Sequence, residues 1–151
     1  MDLDWNIIGS ASTALASIAT AVGVLFVAWQ IRLTKKQAQA EFEDSLDQQY
    51  RALSMLLPVD VLIGKHIEPV SPEIRELIFN YLDLTNEQVY LRAKGRISEL
   101  TWKSWCLGVS GHMSRPYFKE VYDEVKEASG FTYLDRLIES EYKSDPLFWF
   151  K

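Results

Sequence analysis

Twenty-three consecutive residues, Ile7 to Trp29, carry no charge. At about 1.5 Å per helical residue, such a run is long enough to cross the roughly 30 Å hydrocarbon core of a bilayer. A chain that opens this way is expected to be a membrane protein. The run is also striped. Asn6, Ser10, Thr13, Ser17 and Thr20 recur three or four residues apart, and Val24, Val27 and Ile31 continue the series. On a helix turning about 100° per residue these side chains fall in one sector, and Ile8, Leu15, Ile18, Val22, Leu25 and Phe26 lie roughly opposite. Small residues flank the stripe on both sides: Ala14, Ala21 and Ala28 on one, Gly9, Ser12, Ala16, Ala19 and Gly23 on the other. They allow neighbouring helices to approach closely.

The flanks orient the span. Asp2 and Asp4 precede it with no Lys or Arg, whereas Arg32, Lys35 and Lys36 follow within seven residues of Trp29. Because basic residues stay on the cytoplasmic side, the N-terminus is expected outside and the bulk of the chain inside. Trp5 and Trp29 suit the two interfaces as aromatic anchors. A cleaved signal peptide fits poorly, since its n-region would be acidic, its apolar stretch too long and its basic cluster on the wrong side.

From Gln37 onward there are 13 basic and 19 acidic residues, a net charge of −6, yet Gln88 to Lys119 holds six basic residues against Glu99 alone. The single cysteine, Cys106, excludes an intramolecular disulfide and suits a reducing cytoplasm. Nothing breaks the first helix from Asn6 until Pro58, so it is expected to run to about Leu57, with Phe42, Leu46, Tyr50, Leu53 and Leu57 as the apolar edge of its second half. Val59 to Val70 reads as a connector. Further helices are expected from the Ser71 cap and Pro72 toward Lys94, from Ser98 to about Val109, from Pro116 to Gly130, and after a Thr132/Asp135 capping pair. Ser110 to Arg115 reads as a turn. No stretch alternates long enough for a sheet.

Catalytic constellations are missing from this pattern. His66, His112 and Cys106 lack metal-ligand spacing. Gly108-Val109-Ser110-Gly111 lacks the Lys-Ser/Thr of a phosphate loop, and no Ser sits in a nucleophile elbow. The carboxylates Glu120, Asp123, Glu124 and Glu127 read as a solvated helix face. An enzyme is not expected, and no cofactor or metal is implied.

Two features stand above this background. The hydroxyl stripe reads either as a packing seam between helices or as a pore lining. In the second reading Asn6, Ser10, Thr13, Ser17 and Thr20 face a wet axis, and Val24 and Val27 form an apolar constriction. Small residues on both flanks favour a ring of four or more staves. The other feature is the basic and aromatic set Arg92, Lys94, Arg96, Trp102, Lys103 and Trp105. Cations interleaved with rings suit a single-stranded nucleic acid or nucleotide. The competing reading places Trp102 and Trp105 in the core and the charges on a solvated face.

Several stretches resemble a group of small bacterial single-span membrane proteins. They are the Ala/Ser/Thr-rich span with its exit Trp29-Gln30-Ile31-Arg32-Leu33, the segment Phe42-Glu43-Asp44-Ser45-Leu46 with Gln49-Tyr50-Arg51, and Asn86 to Arg92 with Gly95-Arg96-Ile97-Ser98. The similarity covers most of the chain and includes no diagnostic motif. The chain resembles in kind the Hailong-type effectors of anti-phage defence. That resemblance implies an oligomeric channel-forming effector, held inactive by oligodeoxyadenylates from a partner nucleotidyltransferase and depolarising the membrane on release. It transfers no ligand residue.

The expected architecture is therefore all-α and oligomeric, with a transmembrane helix and its interfacial flanks in residues 1–36 and a small cytosolic helical domain in residues 37–151. The expected role is an ion-conducting effector of the bacterial inner membrane, controlled by an anionic oligonucleotide or nucleotide. Its partners would be the lipid bilayer, further copies of itself and single-stranded DNA or a nucleotide. The chief rival is a membrane-anchored adaptor whose helical domain docks a protein partner. A subunit of a larger membrane complex is a third reading.

Overall fold

The computed structural model describes residues 5–65 and 71–150. Asp2, Asp4, His66, Pro69, Val70 and Lys151 lie outside the described residues, as do the side chains of Trp5, Asn6 and Ser10. Among the described residues every regular element is helical: α1 (Trp5–Leu56), α2 (Val59–Leu62), α3 (Pro72–Ala93), α4 (Glu99–Met113), α5 (Pro116–Ser129), α6 (Thr132–Glu139) and a 3-10 turn (Pro146–Phe148). The chain divides into two compact units, residues 1–40 and 41–151.

The first unit is the apolar part of α1, the one helix among the described residues long and apolar enough to cross a membrane by length and composition. None of its most apolar stretch is buried within the chain. α1 runs as one helix into the second unit and stops before Pro58, which has no N–H to donate and biases Leu57 away from helical backbone.

The second unit has a core centred on α3, whose Ile78, Leu82, Thr85 and Val89 are wholly enclosed. Their spacing of three and four residues forms the stripe against which α5, α6 and the 3-10 turn pack. From α1, Leu46 and Leu57 are buried and Phe42, Tyr50 and Leu53 pack partly against the same core. α5 contributes Phe118 and Val121, and α6 contributes Leu134 and Leu137. Emptying one of these sites, as in Leu82→Ala, is expected to cost about 2–5 kcal/mol.

Helix ends follow the sequence in most places. The Ser71 hydroxyl accepts from the Ile74 N–H, with Pro72 at the first helical position. At the other end Gly95, at φ 70°, lets its N–H reach the Arg92 carbonyl (2.9 Å) and the Arg96 N–H reach that of Leu91 (3.0 Å). That pairing is a Schellman close, which needs left-handed backbone and so favours glycine. Gly130, at φ 67°, ends α5 with left-handed backbone.

Three expectations are corrected. The Val59–Val70 connector contains the short helix α2, anchored by buried Val61. Ser110 to Met113 is helix rather than turn, because α4 gains its last turn by burying Val109, His112 and Met113. Thr132 is not a cap: Phe131 precedes the helix without a capping side chain, and Asn86 of α3 accepts from the Tyr133 and Leu134 N–H groups, each at 3.1 Å. Asp135 is engaged elsewhere, accepting from the Tyr122 hydroxyl at 2.7 Å.

Candidate functional site

Along the apolar part of α1, the Thr13, Ser17 and Thr20 hydroxyls donate to the carbonyls of Gly9, Thr13 and Ala16, each at 2.9 Å. Each side chain turns its proton into its own helix and leaves oxygen lone pairs on the outer surface. Val24 and Val27, one to two turns on, are more than half exposed. Asn6 and Ser10 belong to the same helix, with side chains outside the described residues. Where the apolar run ends, Trp29, Arg32, Lys35 and Lys36 line a shallow groove. An aromatic ring and cations together suit a headgroup layer.

The basic and aromatic set does not form one surface. Arg92 is 4% exposed. Its Nε–H (2.8 Å) and Nη2–H both donate to the Asp145 carboxylate, and its Nη1–H donates to the Ile97 carbonyl at 2.8 Å. It ties the end of α3 to the following loop and to the C-terminal turn. Trp102 is buried. Lys103 is exposed and pairs with Glu99 at 2.6 Å, one turn back on α4. Lys94 lies over the Tyr90 ring at 5.5 Å. Arg96 is exposed, and its guanidinium has no partner among the described residues. Trp102 and Lys103 line one shallow groove with Cys106 and Asp145, whereas Trp105 lines a different cleft. Burial and the nearby Asp145 charge push the Cys106 thiol up, away from the reactive thiolate.

The cleft that Trp105 lines holds about 310 Å³ between α1, α3 and α4, at the lower end of the range for small-molecule sites. Four rings wall it. His112 lies 4.9 Å from the Tyr81 centroid and 6.0 Å, edge-on, from that of Tyr50. Its Nδ1–H donates to the Gly108 carbonyl at 2.8 Å, which fixes the neutral tautomer with Nε2 as acceptor. Burial holds the His112 pKa down and pushes the Tyr81 phenol up. The Trp105 indole N–H donates to Asp47 Oδ1 at 2.8 Å.

Several polar groups of the cleft are uncommitted, Gln88 and Arg51 among them. Gln88 is 6% exposed, lines the cleft, and its carboxamide has no hydrogen-bond partner among the described residues. Arg51, one turn after Asp47 on α1, is exposed and its guanidinium is likewise unpaired. Sequence reasoning missed this site because its residues come from three helices and only Trp105 was in the expected set. The Gln49-Tyr50-Arg51 stretch was the only local signal.

One buried carboxylate also went unforeseen. Glu43 of α1 accepts from the Ser98 N–H (2.6 Å), the Ser98 hydroxyl (3.1 Å) and the Thr101 hydroxyl (2.5 Å). It neutralises the positive N-terminal end of α4 and joins that helix to α1. No protein-family model, curated protein or solved structure matches the chain.

Proposed function

We propose that this chain is an oligomeric membrane effector that conducts ions, with its helical unit, residues 41–151, in the cytoplasm and taking an anionic ligand that controls conduction. The observation that carries this reading is the hydroxyl stripe. Thr13, Ser17 and Thr20 spend their protons within α1 and are exposed among the described residues. Copies arranged as a ring would turn their oxygens to a common axis, with Asn6 and Ser10 toward one mouth and Val24 and Val27 as a constriction that dewets when narrow. Arg32, Lys35 and Lys36 after the span support an N-terminus outside the bacterial inner membrane. Anti-phage defence is the setting that the resemblance to Hailong-type effectors suggests, with a single-stranded oligonucleotide or nucleotide as the controlling ligand. The test is induced expression in bacterial cells loaded with a potential-sensitive dye. Prompt loss of membrane potential is expected, and an unchanged potential at full membrane insertion refutes the effector reading.

The adaptor reading has one observation in its favour. Phe148 and Phe150 are each more than 60% exposed at the C-terminal turn, which suits a protein contact. Unchanged potential combined with a stable complex isolated through that turn would establish it.

A further inference from the structure

We infer that the cleft between α1, α3 and α4 is a binding site for a planar, amino-substituted heteroaromatic ring carrying one anionic group. The inference rests on the reading that the helical unit takes an anionic ligand, and it locates that ligand away from the basic segment at Arg92 to Lys103.

The first argument is Gln88. A side chain whose stem is packed into the core while its amide opens on a cleft, bonded to nothing in the protein, is held in place to bond a ligand. Gln88 sits at 6% exposure with its amide unpartnered and lines the cleft. An amide offers one acceptor and two donors in a plane, which matches the paired donor and acceptor edge of a heterocycle. The second argument is the walls. Tyr50, Tyr81, Trp105 and His112 line a space of about 310 Å³, and ring surfaces along a pocket wall suit a flat aromatic ligand by edge or offset contact.

Charge then narrows the ligand. Asp47 uses Oδ1 on Trp105, which leaves its other oxygen to accept from an amino group. Arg51 lines the same cleft as an unpaired, exposed guanidinium, suited to a phosphate or carboxylate by two parallel hydrogen bonds. One carboxylate beside one free cation excludes a polyanion from the cleft itself and admits a ring with a single anionic substituent. His112 Nε2, kept neutral by burial, adds an acceptor rather than a further positive charge.

The test is calorimetric titration of the full chain in nanodiscs. AMP and CMP supply an amino-bearing heteroaromatic ring with a phosphate, and 6-aminonicotinate supplies one with a carboxylate. UMP lacks the exocyclic amino group, adenosine lacks the anion, and ribose 5-phosphate lacks the ring. At least one of the amino-bearing anions is expected to bind at least tenfold more tightly than UMP, adenosine or ribose 5-phosphate, and whether a phosphate or the carboxylate does so identifies the anion. Arg51→Gln, at an exposed position that leaves the core intact, is expected to weaken that binding about tenfold. Gln88→Leu is expected to abolish it while leaving the thermal midpoint of the ligand-free protein unchanged, because the amide opens on the cleft and bonds nothing within the protein. A purely structural Gln88 would give a lower midpoint. Absence of binding by all three amino-bearing anions, or binding unaffected by both substitutions, overturns the inference. Because the readout is heat of binding and not ion flux, its failure is separable from failure of the channel reading.

Discussion

Arg92 and Asp145, 53 residues apart, form a two-pronged ion pair in which the guanidinium side chain is 5% exposed and the carboxylate 24%. Asp145 also accepts from the Leu147 N–H at 3.0 Å, so one carboxylate both holds Arg92 and caps the C-terminal turn. Removing one member of a buried pair strands the other's charge, at a cost of about 3–5 kcal/mol. Arg92→Gln is therefore expected to lower stability by that amount, read as a fall in the urea midpoint by tryptophan fluorescence of the full chain in detergent. Burial alone would raise the Asp145 pKa, but the hydrogen bonds from Arg92 and Leu147 and the charges of Arg92 and Lys103 outweigh it and hold the carboxyl below its ordinary value. A carboxyl depressed in the folded state stabilises above its unfolded pKa, and that contribution is lost as pH falls from about 4 through the folded value. Asp145→Asn is expected to flatten this acid limb.

Glu43 predicts a second stability effect. Its carboxylate accepts three hydrogen bonds at the start of α4, and Glu43→Ala leaves the Ser98 and Thr101 donors to the helix terminus alone. A loss of about 1–3 kcal/mol is expected, with faster amide hydrogen exchange concentrated in the first turn of α4. Uniform acceleration across all helices would contradict the local role.

His112 gives stability a further pH dependence. Burial depresses its pKa, with Arg115 adding to the effect and the Gly108 carbonyl opposing it. The unfolded chain takes up a proton near pH 6.5 while the folded protein resists it, so stability is full above that value and declines as pH falls toward the folded pKa. His112→Gln is expected to remove this part of the slope in thermal midpoints measured between pH 7.5 and 5.

The exposed cations give a binding prediction. Because Arg92 is structural, a phosphate contact on the basic segment is tested at Lys94 and Arg96. If they contact single-stranded DNA, replacing both with Gln reduces the magnitude of the log–log salt slope by roughly 0.7 per lost contact. An unchanged slope assigns these charges to a solvated face.

Much of the helical pattern was legible because its punctuation is local. Ser71-Pro72, Ser98, Pro116 and Gly130 act within one turn of themselves, and each marks a boundary in the structure. The last turn of α4 was hidden because Gly108, Ser110 and Gly111 read as breakers. Each glycine costs a helix only about 1 kcal/mol, and burial of Val109 and Met113 offsets that. The roles of Arg92, Glu43 and Asn86 depend on partners 47 or more residues away, and no local pattern encodes such a distance. Arg92 carried the same signal in sequence as Arg96, although one is buried in an ion pair and the other exposed. The cleft was hidden for the same reason.

The central claim is that copies of α1 enclose a conducting path lined by Thr13, Ser17 and Thr20. Its most direct test is ion flux through liposomes containing only the purified protein, measured for the natural sequence, for Ser17→Leu with Thr20→Leu, and for Ala19→Leu as a flank control. Because the stripe presents oxygen lone pairs, the natural sequence is expected to pass potassium several-fold faster than chloride. The double substitution is expected to suppress flux at least tenfold without loss of insertion or oligomerisation, because apolar bulk dries and narrows the path. No flux from the natural sequence, or equal flux from the double variant, contradicts the account.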